Sequence, residues 1–136
     1  MVKLWHILAM VVLVTVLHFG AVWSGFYDWQ FSTRVFWFDN VLHVLVGIGF
    51  AMAALFITER YRLSGLQTLF FVLGFVLVGA VAWELVEYIF FTRFTEYAYW
   101  SRIYSPSLYE ASSDVISDLL GGAAYLLLVW HKLPKH

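Results

Sequence analysis

The chain has 136 residues, 62% of them hydrophobic, 21% aromatic and only 12% charged, with a formal net charge of −1. A soluble domain of this length is nearer half apolar and a quarter charged, so the composition predicts an all-α polytopic membrane protein forming one transmembrane domain over 1–136. The balanced charge leaves no footprint for nucleic acid, and the absence of cysteine excludes disulfides, thiolate catalysis and cysteine-ligated metal.

Four apolar runs are long enough to cross a bilayer, for which about 20 residues are needed. The first covers about 4–23 and carries His18 late in its length. Lys3 before it resembles the start of a secretory signal, but the run is too long for such a segment and reads as a retained span. An aromatic segment follows with Phe26, Tyr27, Trp29, Phe31, Phe36, Trp37 and Phe38. The second run, 41–57, is preceded by Asp39, and His43 and Gly47 continue the same helical face. The third, 66–91, is interrupted by Glu84 and Glu87, one turn apart between Val-Gly-Ala-Val-Ala-Trp and Tyr-Ile-Phe-Phe. A second aromatic segment holds Tyr97, Tyr99, Trp100, Tyr104 and Tyr109. The fourth run, 115–130, is entered through Glu110, Asp114 and Asp118 and continues into Gly121-Gly122. Ser107-Leu-Tyr-Glu110 has the form of a capping box, so this helix is expected to begin near Ser107. Both aromatic segments are expected to be interfacial loops that lie on the membrane and cap a four-helix bundle.

Four spans place both termini on one side, together with Lys3, Arg60, Arg62, Lys132 and Lys135, against Arg34, Arg93 and Arg102 on the other. The positive-inside rule then predicts cytoplasmic N- and C-termini. In that topology Asp39 and His43 stand at the outer end of the second helix. Glu84 comes about 27 Å along the third at 1.5 Å per residue, close to the far boundary of a core about 30 Å thick. Asp114 and Asp118 descend from the outer end of the fourth, and His18 reaches the same level from the first. The convergence is independent of absolute orientation, since inverting the protein moves every group together.

A carboxylate in hydrocarbon costs about 2.5–3.5 kcal/mol even on the lenient insertion scale, so an intramembrane acid points to a functional site. Asp39, Glu84, Glu87, Asp114 and Asp118 in one bundle mouth would repel one another unless relieved by cations, protonation or water. Histidine and carboxylate donors from facing helices are how bundles hold divalent metals. With His18 and His43 the set suits iron, manganese or zinc, or magnesium or calcium if the imidazoles stay outside the coordination sphere. Arg34, Arg93 and Arg102 offer a second relief as counter-charges, and could equally bind an anionic headgroup or phosphate. Blander roles stand beside these: Asp39 as an N-cap of the second helix, Ser113 or Asp114 as a cap of the fourth, and His18 as a hydrogen-bonding partner of a neighbouring helix. Glu110 is expected to be exposed, His6, His131 and His136 interfacial, and the glycines sites of close helix packing.

Phe-Asp39-Asn-Val-Leu-His43-Val-Leu-Val-Gly47, Trp-Glu84-Leu-Val-Glu87-Tyr88 and Ser-Asp114-Val-Ile-Ser-Asp118 before Gly121-Gly122, in that order, resemble the YjdF-like inner-membrane proteins and, more distantly, the VanZ-like family. The resemblance covers roughly 38–128 and leaves the first helix unmatched. Two positions depart from it: Asn40 stands where a basic residue often follows the first Asp, and Glu87 where VanZ-like proteins favour Gln. It implies a bacterial inner-membrane protein and marks Asp39, His43, Gly47, Glu84, Glu87, Asp114 and Asp118, without defining a reaction.

Two functions follow as expectations. One is an outer-side divalent-metal site supporting hydrolysis or transfer on a lipid-linked or envelope substrate, with ligands drawn from Asp39, His43, Glu84, Glu87, Asp114, Asp118 and His18, and Glu87 or Glu84 as the base. The other is a non-catalytic assembly subunit of a larger membrane complex, in which the acids form a buried polar network. Ion or proton transfer is disfavoured because the inner helix halves lack continuing polar groups, and haem or chlorophyll ligation by His18 and His43 ranks below both.

Overall fold

The computed structural model describes residues 2–33, 37–61, 63–103 and 107–133. Its order is α1 (Leu4–Trp23), α2 (Phe26–Thr33), α3 (Phe38–Tyr61), α4 (Gly65–Arg93), α5 (Thr95–Ser101) and α6 (Leu108–Val129), closed by a 3₁₀ turn at Trp130–Lys132. Every regular element among the described residues is helical. Helices α1, α3, α4 and α6 are each long and apolar enough to cross a membrane. The side chains of Phe31 and Lys132, and Arg34, Phe36, Arg62, Tyr104, Lys135 and His136 altogether, lie outside the described residues.

Local signals set the helix ends. His6 Nδ1 accepts the Lys3 N–H at 2.9 Å, closing the first turn of α1. Ser64 and Gln67 cap α4 reciprocally: Gln67 Oε1 accepts the Ser64 N–H at 2.9 Å and Ser64 Oγ accepts the Gln67 N–H. Ser107 Oγ accepts the Glu110 N–H at 3.2 Å, so α6 starts where the Ser-x-x-Glu pattern places it. The turn between α1 and α2 needs Gly25, whose φ of +72 lies in the left-handed region that other residues enter at a cost.

α3 is longer than its apolar run and takes Asp39 into its first turn. The start of that helix is capped from elsewhere: Oε1 of Gln30, a buried residue of α2, receives the N–H groups of Trp37 and Phe38 at 3.2 and 3.3 Å. Asp39 is thereby released from the N-cap role that its position suggested, and Asp114 lies well inside α6 rather than at its cap. The two aromatic segments also differ from expectation. They are short helices rather than loops, because each buries one face: Tyr27 and Gln30 on α2, Ala98 and Ser101 on α5. Phe26 and Tyr27 pack edge-on against Phe38, with ring centroids 5.1 and 5.8 Å apart.

The bundle has two unlike halves. At the end where Val2 and Leu133 lie, Val2, Ala51, Met52, Ala54, Leu55, Val72, Val76 and Leu126 form the apolar core, and the Val2 N–H is bound by Glu59 Oε1 at 3.0 Å. Midway, α3 and α6 touch backbone to backbone. A Cβ placed on Gly47 would meet the Asp118 carbonyl oxygen at 1.9 Å, and one on Gly121 the Val44 carbonyl oxygen at 2.0 Å. Only glycine permits that approach. Beyond the crossing the contact turns polar: Asn40 Nδ2 donates to Ser113 Oγ at 2.7 Å and to Ser117 Oγ at 3.0 Å.

Candidate functional site

The glycine crossing positions the site. His43 precedes Gly47 by one turn on α3, and Asp118 precedes Gly121 by three residues on α6, so close approach of the backbones brings these side chains into contact. His43 Nδ1 stands 3.2 Å from Asp118 Oδ2, both side chains buried. With the carboxylate accepting, Nδ1 carries the proton, and in the neutral imidazole Nε2 then keeps its lone pair. That free nitrogen faces α6 one turn earlier, 4.0 Å from Asp114 Oδ2. Asp39, His43 and Asp114 each offer a ligand atom, all within 4.8 Å of one another. A carboxylate holding the far nitrogen of an imidazole that points at other ligands is the usual support for a metal-bound histidine. Asp118 is fully buried, and its second oxygen, Oδ1, has no hydrogen-bond partner among the described residues.

The acids of α4 occupy a different wall. Glu87 is buried, and its Oε1 accepts the Trp83 indole N–H at 2.7 Å, an i,i+4 contact within one helix. Glu84 is buried one turn earlier, within electrostatic range of both Glu87 and Asp114. A cavity of about 130 Å³ lies between α1, α3 and α4. Asp39, His43, Trp83 and Glu87 stand in its walls with His18 and Arg102, alongside apolar groups from Val14 to Ile103. Glu84 does not line it.

His18 reaches the cavity, but both of its nitrogens are committed. Nε2 donates to the Ser101 carbonyl at 2.8 Å, and Nδ1 accepts from the Tyr27 hydroxyl at 3.0 Å. Burial, reinforced by the negative charges of Asp39 and Glu87, pushes the Tyr27 hydroxyl well above the ordinary tyrosine range, which keeps it a donor. With no lone pair left over, His18 ties α1 to α2 and α5 and has none to offer an ion. Glu110 is exposed, as its position suggested.

Arg102 pairs with Asp28 across the α2–α5 boundary. Its φ of 58 makes it the one non-glycine in the left-handed region among the described residues, a conformation that costs about 1–2 kcal/mol.

Several of these groups carried little trace in the sequence. The Trp83–Glu87 spacing was visible as i,i+4. Asn40, Ser113 and Ser117 could have been paired from the i,i+4 serines facing a helix that starts with Asn40. Tyr27, Gln30 and Asp28 act across gaps that no local pattern reveals. No curated protein and no solved structure matches the chain. A family model does, over residues 1–135: the chain belongs to the family of predicted membrane proteins known as DUF2238.

Proposed function

We propose that the protein binds a divalent metal ion at Asp39, His43 and Asp114 and uses it for hydrolysis or transfer on a lipid-linked or envelope substrate. The observation that carries this is the relay Asp118–His43, which leaves Nε2 turned toward Asp114 within a three-ligand cluster. Two carboxylates and one imidazole suit zinc, iron or manganese. Three protein ligands leave coordination positions for water and substrate, the arrangement of catalytic rather than structural sites. When bound, the metal supplies an activated water and polarises the substrate oxygen. Glu87, across the cavity, is the base: Trp83 fixes one of its oxygens and leaves the other to take the proton. Glu84 supplies negative charge behind it rather than touching the reactants.

In this reading the site faces the outer leaflet and both termini are cytoplasmic, as five basic residues against three favour. Membership of DUF2238 supports the likeness to YjdF-like inner-membrane proteins, whereas the VanZ-like likeness rests on motif order alone.

Metal analysis of detergent-purified protein, with thermal unfolding before and after chelation, tests the proposal. One metal per chain is expected, with a lower Tm after chelation. Asp118→Asn should weaken metal binding about 10–100-fold, as loss of an outer-sphere partner does. Absence of stoichiometric metal, with a Tm indifferent to chelator and to added zinc or manganese, would refute it. If Glu84→Ala then also failed to assemble while the native protein bound no metal, the acids would be the polar network of an assembly subunit.

A further inference from the structure

The cavity is not closed on all sides. α1 packs on α3, α2 and α5, and α4 packs on α3, α5 and α6, but α1 and α4 do not pack on each other among the described residues. Both flank α3, and the cavity lies between them. Val14 and Phe19 of α1, Leu42 and Val46 of α3, and Ile103 give it apolar walls, while Asp39, His43, Glu87 and Arg102 give it a charged end. A slot of this kind has a dry side continuous with the bilayer and a polar end at Asp39 and His43, two of the three proposed ligands. A small soluble molecule would leave the apolar walls unused.

We infer that the substrate is a phosphate-headed lipid, entering sideways between α1 and α4, with its phosphate held between the metal ion and the Arg102 guanidinium and its chain left in the bilayer. Arg102 is the cation that borders the cavity, and guanidinium matches phosphate in geometry as well as charge. One of its partners, Asp28, is largely exposed, so a phosphate can displace that carboxylate at little desolvation cost. The backbone supports the assignment independently. Arg102 stands in a left-handed conformation that glycine or asparagine would fill more easily, and strain of this sort is kept where a side chain is needed in place.

The inference rests on the metal reading, because the surrounding carboxylates would repel a phosphate without a bound cation. The two are separated by measuring metal content and lipid binding on the same samples. Metal-loaded protein in neutral detergent is titrated with dioleoyl phosphatidic acid, dioleoyl phosphatidylcholine or inorganic phosphate, and binding is read by native mass spectrometry and thermal shift. Phosphatidic acid should bind at least tenfold more tightly than either of the others, and chelation should abolish the difference. Arg102→Gln should weaken phosphatidic acid binding about tenfold with metal content unchanged. Arg102→Gly should lose the lipid equally while keeping the Tm, since it relieves the backbone. Equal binding of phosphatidylcholine overturns recognition of the head. Equal binding of inorganic phosphate overturns entry from the bilayer, and an unchanged preference in Arg102→Gln overturns the role of Arg102. Metal-free native protein defeats both readings, whereas metal-bound protein without lipid preference defeats only this one.

Discussion

Replacing Gly47 by alanine adds one methyl group, and the structure says what that group would strike. Its Cβ would lie 1.9 Å from the carbonyl oxygen of Asp118, 2.6 Å from its carbonyl carbon and 2.7 Å from its Cα. All three are backbone atoms, so no rotamer change can make room. Restoring ordinary contact at 3.4 Å requires α3 and α6 to part by about 1.5 Å, the difference between 3.4 and 1.9 Å. The same displacement would stretch the 3.2 Å His43–Asp118 contact to about 4.7 Å, beyond hydrogen-bonding reach. Overpacking of a tight contact costs about 1–3 kcal/mol and loss of a buried charged hydrogen bond about 1.5–3 kcal/mol. A loss of roughly 2.5–6 kcal/mol is therefore expected. Zinc affinity should fall with it by about 10–100-fold, because the imidazole loses its support. Gly74→Ala is the matched control: nothing lies within 4 Å of its added Cβ, so it should be neutral or stabilise by about 0.5–1 kcal/mol through helix propensity. Unfolding in mixed micelles measures the first quantity and zinc titration the second. If Gly47→Ala matched Gly74→Ala in both, the crossing would not set the site.

Asn40→Ala removes the donor to both Ser113 and Ser117 and should cost about 1–2 kcal/mol, at the usual strength of hydrogen bonds between membrane helices. Unfolding measurements would show this, and a cost equal to that of Ser113→Ala alone would mean the two bonds are not both made. For Tyr27 the prediction concerns pH. Its folded pKa is raised above the ordinary tyrosine value of 10.0, so the folded state holds the proton more tightly than the unfolded chain. The stabilisation is complete below about pH 10 and lost as the pH rises beyond it. Stability of the native protein should fall more steeply above pH 10 than that of Tyr27→Phe, and parallel pH profiles would refute the assignment.

What could be read from the sequence was what the helix repeat carries. Asp39 with His43, and Asp114 with Asp118, fall one turn apart, so their shared faces follow from spacing alone. The depth of the four runs then brought the acids to one level. Which acids meet was not legible, because it depends on the azimuth of each helix about its axis, and backbone contacts at Gly47 and Gly121 fix that. This is why Asp118 turns out to hold the histidine at one nitrogen while Asp114 lies toward the other. His18 was legible as a group at the right height but not as a committed one, since Ser101 and Tyr27 reach it from separate helices. The aromatic segments were read as loops because their helices are only seven and eight residues long, too short for periodicity to show.

The meeting of α3 and α6 also limits how the molecule can move. Side chains that interdigitate can exchange rotamers and let two helices slip lengthwise by a turn. At Gly47 and Gly121 peptide groups press on peptide groups, and there is nothing to exchange. α6 cannot be driven like a piston along α3 without first lifting away from it. A change at the end holding Met52, Leu55 and Leu126 therefore reaches His43 and Asp118 as a rocking of one helix on the other, with the glycines as fulcrum. Such rocking opens or closes the mouth while leaving the register of its facing side chains intact.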